Sequence, residues 1–254
     1  MRIFLTSILV AFGLMGIVHS APIEDDSSVW LIQEEFIKFG KKDVYEAQQQ
    51  SWLQGFKKIL STGGFWRSKS GFWPIYGMQA IDEPQYIYLI PLKNTAALDG
   101  FLAKRSEYNE GMSQEAKNQR QILLSCMNFS MSSLHQYVKS CSSGPDDAAS
   151  WQKNPFVHYW VFGITPGNDQ NFETQIQKVV SSVNAKGSVL FLRVWRVLLG
   201  SDTPKYVIVL QAPTQDALDL QVKSIQFVEG TIKDIVRNQR EGNALMKDPL
   251  SMMP

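Results

Sequence analysis

The sequence predicts an α+β protein made of two consecutive β-α-β-β-α units with extra helices at their C-terminal ends. Their sheets are expected to pack together like the halves of a fused dimer. Three observations lead there. The triplet Asn-Gln-Arg occurs at Asn118–Arg120 and at Asn238–Arg240, and at the same offset of 120 Pro84 meets Pro204, Tyr86 meets Tyr206 and Ala97-Leu98-Asp99 meets Ala217-Leu218-Asp219. Further upstream the offset becomes 127, where "GKKDVYE" from Gly40 matches "GNDQNFE" from Gly167. The seven-residue change falls around "STGGFWRSKSG", in a loop able to absorb it. Finally, both stretches read as the same succession of elements.

Taken in order, the chain opens with Arg2 and an apolar run, Ile3–Val18, interrupted only by Thr6 and Ser7. Val18 and Ser20 stand at the small-residue positions read by a signal peptidase, so cleavage after Ser20 and export to a periplasmic or extracellular space are expected. The competing reading, an N-terminal membrane anchor, needs a span of ~20 apolar residues, longer than this run. The first unit, residues 21–143, begins with the strand "VWLIQEEFI" from Val29, followed by a helix over about Asp43–Ser61. "FWPIYGMQAI" and "QYIYLIPL" form the next two strands, with Pro84 entering the third, where a missing N–H is tolerable. "NTAALDGFLAKRSEYN" is helical with Asn94 as N-cap, and a second helix carries the first Asn-Gln-Arg. Residues 144–155, starting in "SCSSGPDD", form a linker.

The second unit, residues 156–254, repeats the reading: strand "FVHYWVFGI", helix over about Gln170–Asn184, strands "VLFLRVWRVLL" and "KYVIVLQA", a helix capped by Thr214, and a helix with the second Asn-Gln-Arg. No later run approaches membrane length. Charge is balanced, with 25 Lys+Arg against 24 Asp+Glu, so there is no electrostatic footprint for nucleic acid or an anionic membrane. Expected partners are a small ligand or a protein, with the chain a monomer or weak homodimer.

A β-α-β-β-α unit opened by a strand ending near Gly and doubled in one chain resembles the ferredoxin-like dimeric α+β barrel superfamily. That superfamily includes antibiotic-biosynthesis-monooxygenase-like and NIPSNAP-like proteins and the haem-binding chlorite dismutase group. The resemblance covers about Val29–Leu124 and Phe156–Leu245 and implies two tandem ferredoxin-like repeats. It rests on element order and repetition, without a signature motif. The fourth strand of such a unit is missing from this reading, a departure that bears on closure of the barrel.

Chemistry is sparse. The sequence holds no CxxC, HExxH, P-loop, GxGxxG or GxSxG. Beyond the signal only His135 and His158 remain, too few for a histidine-built metal site. In an exported protein the pair Cys126 and Cys141 is expected to form a disulfide. Fifteen residues of straight helix would hold them ~22 Å apart, so the helix must break between them, near Asn128–Ser133. Neighbours Glu34 and Glu35 point to opposite sides of a strand and cannot be a facing pair. The strand face that carries Gln33 and Glu35 carries His158, Trp160 and Phe162 in the second unit, and Arg193 and Trp195 lie on the following strand.

The superfamily resemblance implies a ligand cavity on the strand face opposite the helices. Gln33, Glu35, His158, Trp160, Arg193 and Trp195 are therefore the candidate ligand-binding residues, with Trp73 and Tyr88 as neighbours. The bland alternative makes the aromatics core and the charges salt bridges. An arginine kept in both units, Arg120 and Arg240, serves a hydrogen bond or cap more often than an anion site. With no catalytic constellation visible, the sequence points to a non-catalytic binding or interaction protein without a cofactor. The alternative, implied by the resemblance, is a monooxygenase-like or haem-dependent enzyme working in the inter-repeat cavity, with His158 as axial ligand.

Overall fold

The computed structural model describes residues 29–60, 76–81, 85–92, 94–144, 148–185, 190–200, 203–225 and 232–247. The signal segment and Trp73 lie outside them. Among the described residues no helix is long and apolar enough to cross a membrane.

The element order is β1 (Val29–Ile37), α1 (Lys42–Leu60), β2 (Tyr76–Ala80), β3 (Gln85–Leu92), α2 (Ala96–Gly111), α3 (Gln114–Cys126), β4 (Met127–Tyr137), a 3₁₀ turn (Lys139–Cys141) and α4 (Ala148–Lys153). There follow β5 (Phe156–Ile164), α5 (Asp169–Ala185), β6 (Phe191–Leu199), β7 (Lys205–Ala212), α6 (Gln215–Ser224) and β8 (Val236–Met246). All eight strands close into one antiparallel barrel in the order β1-β3-β2-β8-β5-β7-β6-β4. Each half contributes four adjacent strands, and the seams are β2–β8 and β4–β6.

Two expectations are corrected here. The fourth strand of each half is present. The second Asn-Gln-Arg is not helical: Asn118–Arg120 lies on α3, whereas Asn238–Arg240 lies on β8. The triplets therefore do not correspond, and Arg240 has no helical counterpart in Arg120. The register places β4 opposite β1 as β8 is placed opposite β5, with Trp30 facing His135 and Val157 facing Ala244. Both pairs of strands shift register at matching points, Phe36/Ile37 and Gly163/Ile164. Gly40 and Gly167 turn the chain from strand to helix at φ of 72° and 85°, a left-handed conformation that favours glycine.

The cysteines are free and buried at opposite ends of β4. An extended strand of this length holds its ends roughly 35 Å apart, so the expected disulfide does not form. The expected break is instead the start of the strand itself. Cys126 Sγ donates to the Ile122 carbonyl at 3.3 Å and Cys141 Sγ to that of Glu173 at 3.5 Å.

Strands covered on both sides have no polar face, which is why β3 reads "QYIYLIPL" and is buried throughout. On β1, Val29, Leu31 and Ile37 pack with α1–α3 residues Tyr45, Leu53, Phe101 and Leu123. Trp30 and Ile32 point the other way, into the barrel, where they meet Trp195, Tyr159, Val209 and Met246. The six-residue α4 lies within the stretch expected to be linker. It places the fully buried Trp151 against Trp30 and Trp195, at ring distances of 6.1 and 6.4 Å. Arg193, also inside, stacks over Trp151 at 4.5 Å and donates to Gln211 Oε1 (2.8 Å) and Ser150 Oγ (3.1 Å). Neutral acceptors and an aromatic face thus hold a buried guanidinium and fasten α4 to the barrel.

Candidate functional site

The sequence reading placed the cavity on the face opposite the helices. That part of the barrel is instead packed by Trp30, Trp151 and Trp195. A cleft of about 210 Å³ lies on the other face, between the β1/β3 sheet and helices α1–α3. It forms because the α1 stripe that should be apolar, Tyr45-Gln49-Leu53, carries polar groups at two of its turns, over a strand that presents Gln33 and Glu35.

Glu35 is 4% exposed. Its two carboxylate oxygens accept hydrogen bonds from Gln33 Nε2 and from the Tyr45 hydroxyl. The Tyr45 and Tyr88 hydroxyls are 2.8 Å apart. Tyr45 has a single proton and gives it to Glu35, so Tyr88 donates to Tyr45, while the Gln49 side chain hydrogen-bonds the Tyr88 oxygen at the cleft wall. Burial raises the Glu35 pKa above the carboxylate norm, against the hydrogen bonds from Tyr45 and Gln33 and the Arg105 charge. Burial also raises both tyrosines well above the phenol norm. The arrangement is a continuous hydrogen-bonded chain of three side chains from the cleft wall to a buried carboxylate.

The opposite wall carries Arg105 from α2 and Arg120 from α3. Burial lowers both guanidinium pKa values, and for Arg105 the neighbouring Arg120 charge lowers it further. The remaining lining is mainly aromatic and aliphatic, including Trp52, Phe101, Ile90 and Leu123.

The structure scatters the expected site residues among three places. Gln33 and Glu35 belong to this cleft, with Tyr88. His158 and Trp160 lie on the helix side of the second half, their rings 4.3 Å apart, with His158 Nδ1 2.8 Å from Asn243 Oδ1. Trp160 and Phe162 were expected on the uncovered face, but they pack with α5 and α6. Arg193 and Trp195 are inside the barrel. Tyr45 and Arg105 come from helices and had no place in a site drawn from strands, and Arg120 was weighed as an anion-binding residue only together with Arg240 and read as structural. One signal was in view: Glu35 aligns with Phe162 and Tyr45 with Phe172, two polar residues where the second half has core.

No family model matches the chain, and no curated protein matches it. Solved structures do. An anthrone oxidase-like protein superposes with a TM-score of 0.58 at 12% identity, over 91% of this chain and 95% of that one. A candidate monooxygenase from Lactobacillus acidophilus gives 0.56 at 10% identity, over 87% and 94%. A haem-binding protein from Thermus thermophilus gives 0.53 at 10%, over 88% and 92%. The chain has the dimeric α+β barrel fold. At such identities the likeness establishes the fold alone, and here the barrel closes within one chain.

Proposed function

We propose that the chain is a monooxygenase-like enzyme that oxidises a small, weakly acidic ligand in the first-half cleft. The observation that carries this is the Tyr88–Tyr45–Glu35 relay. A ligand with an acidic O–H, or a C–H beside an aromatic ring or carbonyl, gives its proton to Tyr88; Tyr88 passes its own to Tyr45, and Tyr45 passes its own to Glu35. The electron-rich anion left behind reacts with dioxygen. One oxygen atom enters the ligand, and the other leaves as water with two hydrogens taken from the ligand. The names of the structural neighbours support an oxidase reading over the non-catalytic one drawn from sequence.

Haem does not suit this cleft. Its lining contains no histidine or cysteine, and its volume is below the ~300–1,000 Å³ of pockets that hold drug-sized ligands. His158, the axial ligand expected from sequence, sits in the other half, where its Nε2 is buried 3.9 Å from Glu241.

We further infer that the halves are tandem ferredoxin-like repeats fused as a pseudo-dimer. Tyr86 donates to Glu46 as Tyr206 donates to Glu173, and Lys38 N bonds Cys126 O as Thr165 N bonds Ile235 O, both at 2.8 Å. On sequence grounds alone, the enzyme is exported.

Oxygen uptake with 2-naphthol, a two-ring weak acid, as the probe tests the activity. Glu35→Gln keeps an acceptor for Tyr45 but cannot take a proton, so the rate should fall about 10²–10⁴-fold. Uptake unaffected by that change, or none in the unmodified protein, rejects the reading.

A further inference from the structure

We propose that the ligand of this cleft is a one- or two-ring aromatic carboxylate, held through its carboxylate by Arg105 and Arg120. This rests on the reading of the cleft as the ligand site and adds the class of ligand to it.

Two guanidiniums share a small cavity and repel each other, yet no aspartate or glutamate lines it. Neither makes a hydrogen bond or ion pair with another described residue. Arg105 has only the Phe101 ring, with its Cζ 5.7 Å from the centroid. The one carboxylate whose charge reaches Arg105 is Glu35, already committed to Gln33 and Tyr45. Elsewhere in the chain an exposed arginine does find its acid: Arg240 lies 3.5 Å from Glu34. Two half-buried like charges left without an acid are balanced by an anion from outside, and a planar carboxylate matches the guanidinium fork.

The rest of the lining selects what carries that anion. Trp52 and Phe101 contribute aromatic surface, and Leu53, Ile90 and Leu123 contribute aliphatic surface, so a free inorganic anion would leave most of the cavity unfilled. A volume of about 210 Å³ limits the ligand to one or two rings. The arginines come from α2 and α3, whereas Gln33 and Tyr88 come from the sheet. A hydroxy-substituted aryl acid would therefore span the cleft, with its carboxylate at the helices and its acidic hydroxyl at the relay.

Titration calorimetry with 6-hydroxy-2-naphthoate, neutral 2-naphthol and inorganic phosphate tests this. The naphthoate should bind at least tenfold more tightly than 2-naphthol, and phosphate should bind more weakly than the naphthoate. Arg105→Gln and Arg120→Gln should each weaken naphthoate binding about 10- to 100-fold, the loss of one hydrogen bond to a charged group. Retained 2-naphthol binding would show that the cleft still folds. Arg237→Gln, on the exposed start of β8, should change nothing. Equal binding of naphthoate and naphthol, naphthoate binding indifferent to both arginines, or phosphate binding as tight as naphthoate would overturn the proposal. Arginine-dependent naphthoate binding in a protein that consumes no oxygen would uphold it and remove the oxidase reading. Oxygen uptake with 2-naphthol in a protein that binds no naphthoate would do the reverse.

Discussion

The two helix-covered faces of the barrel have the same frame and opposite contents. Strand register sets Gln33, Glu35 and Tyr88 of the first half against Trp160, Phe162 and Ile208 of the second. The helix stripe Tyr45-Gln49-Leu53 stands where the second half has Phe172-Ile176-Val180. Even the stacking agrees: Tyr45 on Tyr86 and Phe172 on Tyr206 each lie 4.6 Å apart at 38°. A few added hydroxyl, amide and carboxyl groups turn a solid core into a lined cleft. The second half keeps an apolar core at the positions where the first half buries polar groups.

Stability should divide along the same line. Phe162 is fully buried between β5 and α5, and Phe162→Ala should cost about 3–5 kcal/mol in denaturant unfolding. Glu35→Gln, at the corresponding position, should shift stability by no more than about 1 kcal/mol near neutral pH, and upward if at all, since it removes a charge held in a dry site. With the native pKa raised, folding binds protons above the ordinary value of 4.5, so the Glu35 contribution declines as pH rises through that window. Equal losses at the two positions would mean that the first-half cleft is packed as tightly as the second-half core.

Titration inside the barrel should be just as lopsided. His135 is 3% exposed, and burial, helped by the Lys205 charge, pushes its pKa down to about 3 from 6.5. Its Nε2 lies 2.6 Å from Ser133 Oγ. The matching position on β8 is Ala244, which does not titrate. The unfolded chain takes up a proton that the fold refuses between these values. Stability supplied by neutral His135 is therefore complete above about pH 6.5 and is lost as pH falls toward 3, by up to about 1.4 kcal/mol per unit. His135→Gln should flatten that acid limb in unfolding curves recorded from pH 7 to 4. An unchanged limb would assign the acid sensitivity to other groups.

Much of this frame was legible in the sequence because it depends on local pattern. The strands Val29–Ile37, Phe156–Ile164 and Lys205–Ala212 have the limits the sequence suggested, and Thr214 caps α6 through its bond from Ala217 N at 3.2 Å. β4 and β8 were missed for a physical reason. Their outer portions, "NFSMS" and "RNQRE", are exposed, the second wholly polar and the first with only Phe129 and Met131 apolar, and so they lack the buried apolar run of the other strands. The shared Asn-Gln-Arg then drew both segments into one class. The site was half legible. Gln33 and Glu35 stood out as polar residues in an apolar strand, but which face the helices cover depends on barrel closure, which no local pattern records. Arg105 and Arg120 look like ordinary helix-surface arginines until α2 and α3 fold over the sheet.

The smallest predicted difference tests whether the halves are equivalent where their sequences agree. Tyr86 and Tyr206 are the same residue at the same register, each buried, each stacked on the first helix of its half and each donating its hydroxyl to a glutamate of that helix, at 2.6 and 2.7 Å. A phenol donating to a carboxylate is worth about 1.5–3 kcal/mol when the acceptor stays charged. The acceptors are unlike in their other contacts. Glu46 lies 3.8 Å from Lys247, and Glu173 lies 4.0 Å from Arg196; Tyr206 also lies within hydrogen-bond distance of Asp169, at 3.2 Å, whereas Asp43 acts on Tyr86 through its charge. Tyr→Phe leaves the stacking intact and removes only the hydroxyl. Tyr86→Phe should therefore cost about 1–2 kcal/mol, and Tyr206→Phe the same or a few tenths more. If the two act in separate cores, the double variant should lose the sum to within about 0.5 kcal/mol. Losses that differ by more than about 1 kcal/mol would show that identical residues in matching frames have been put to different uses.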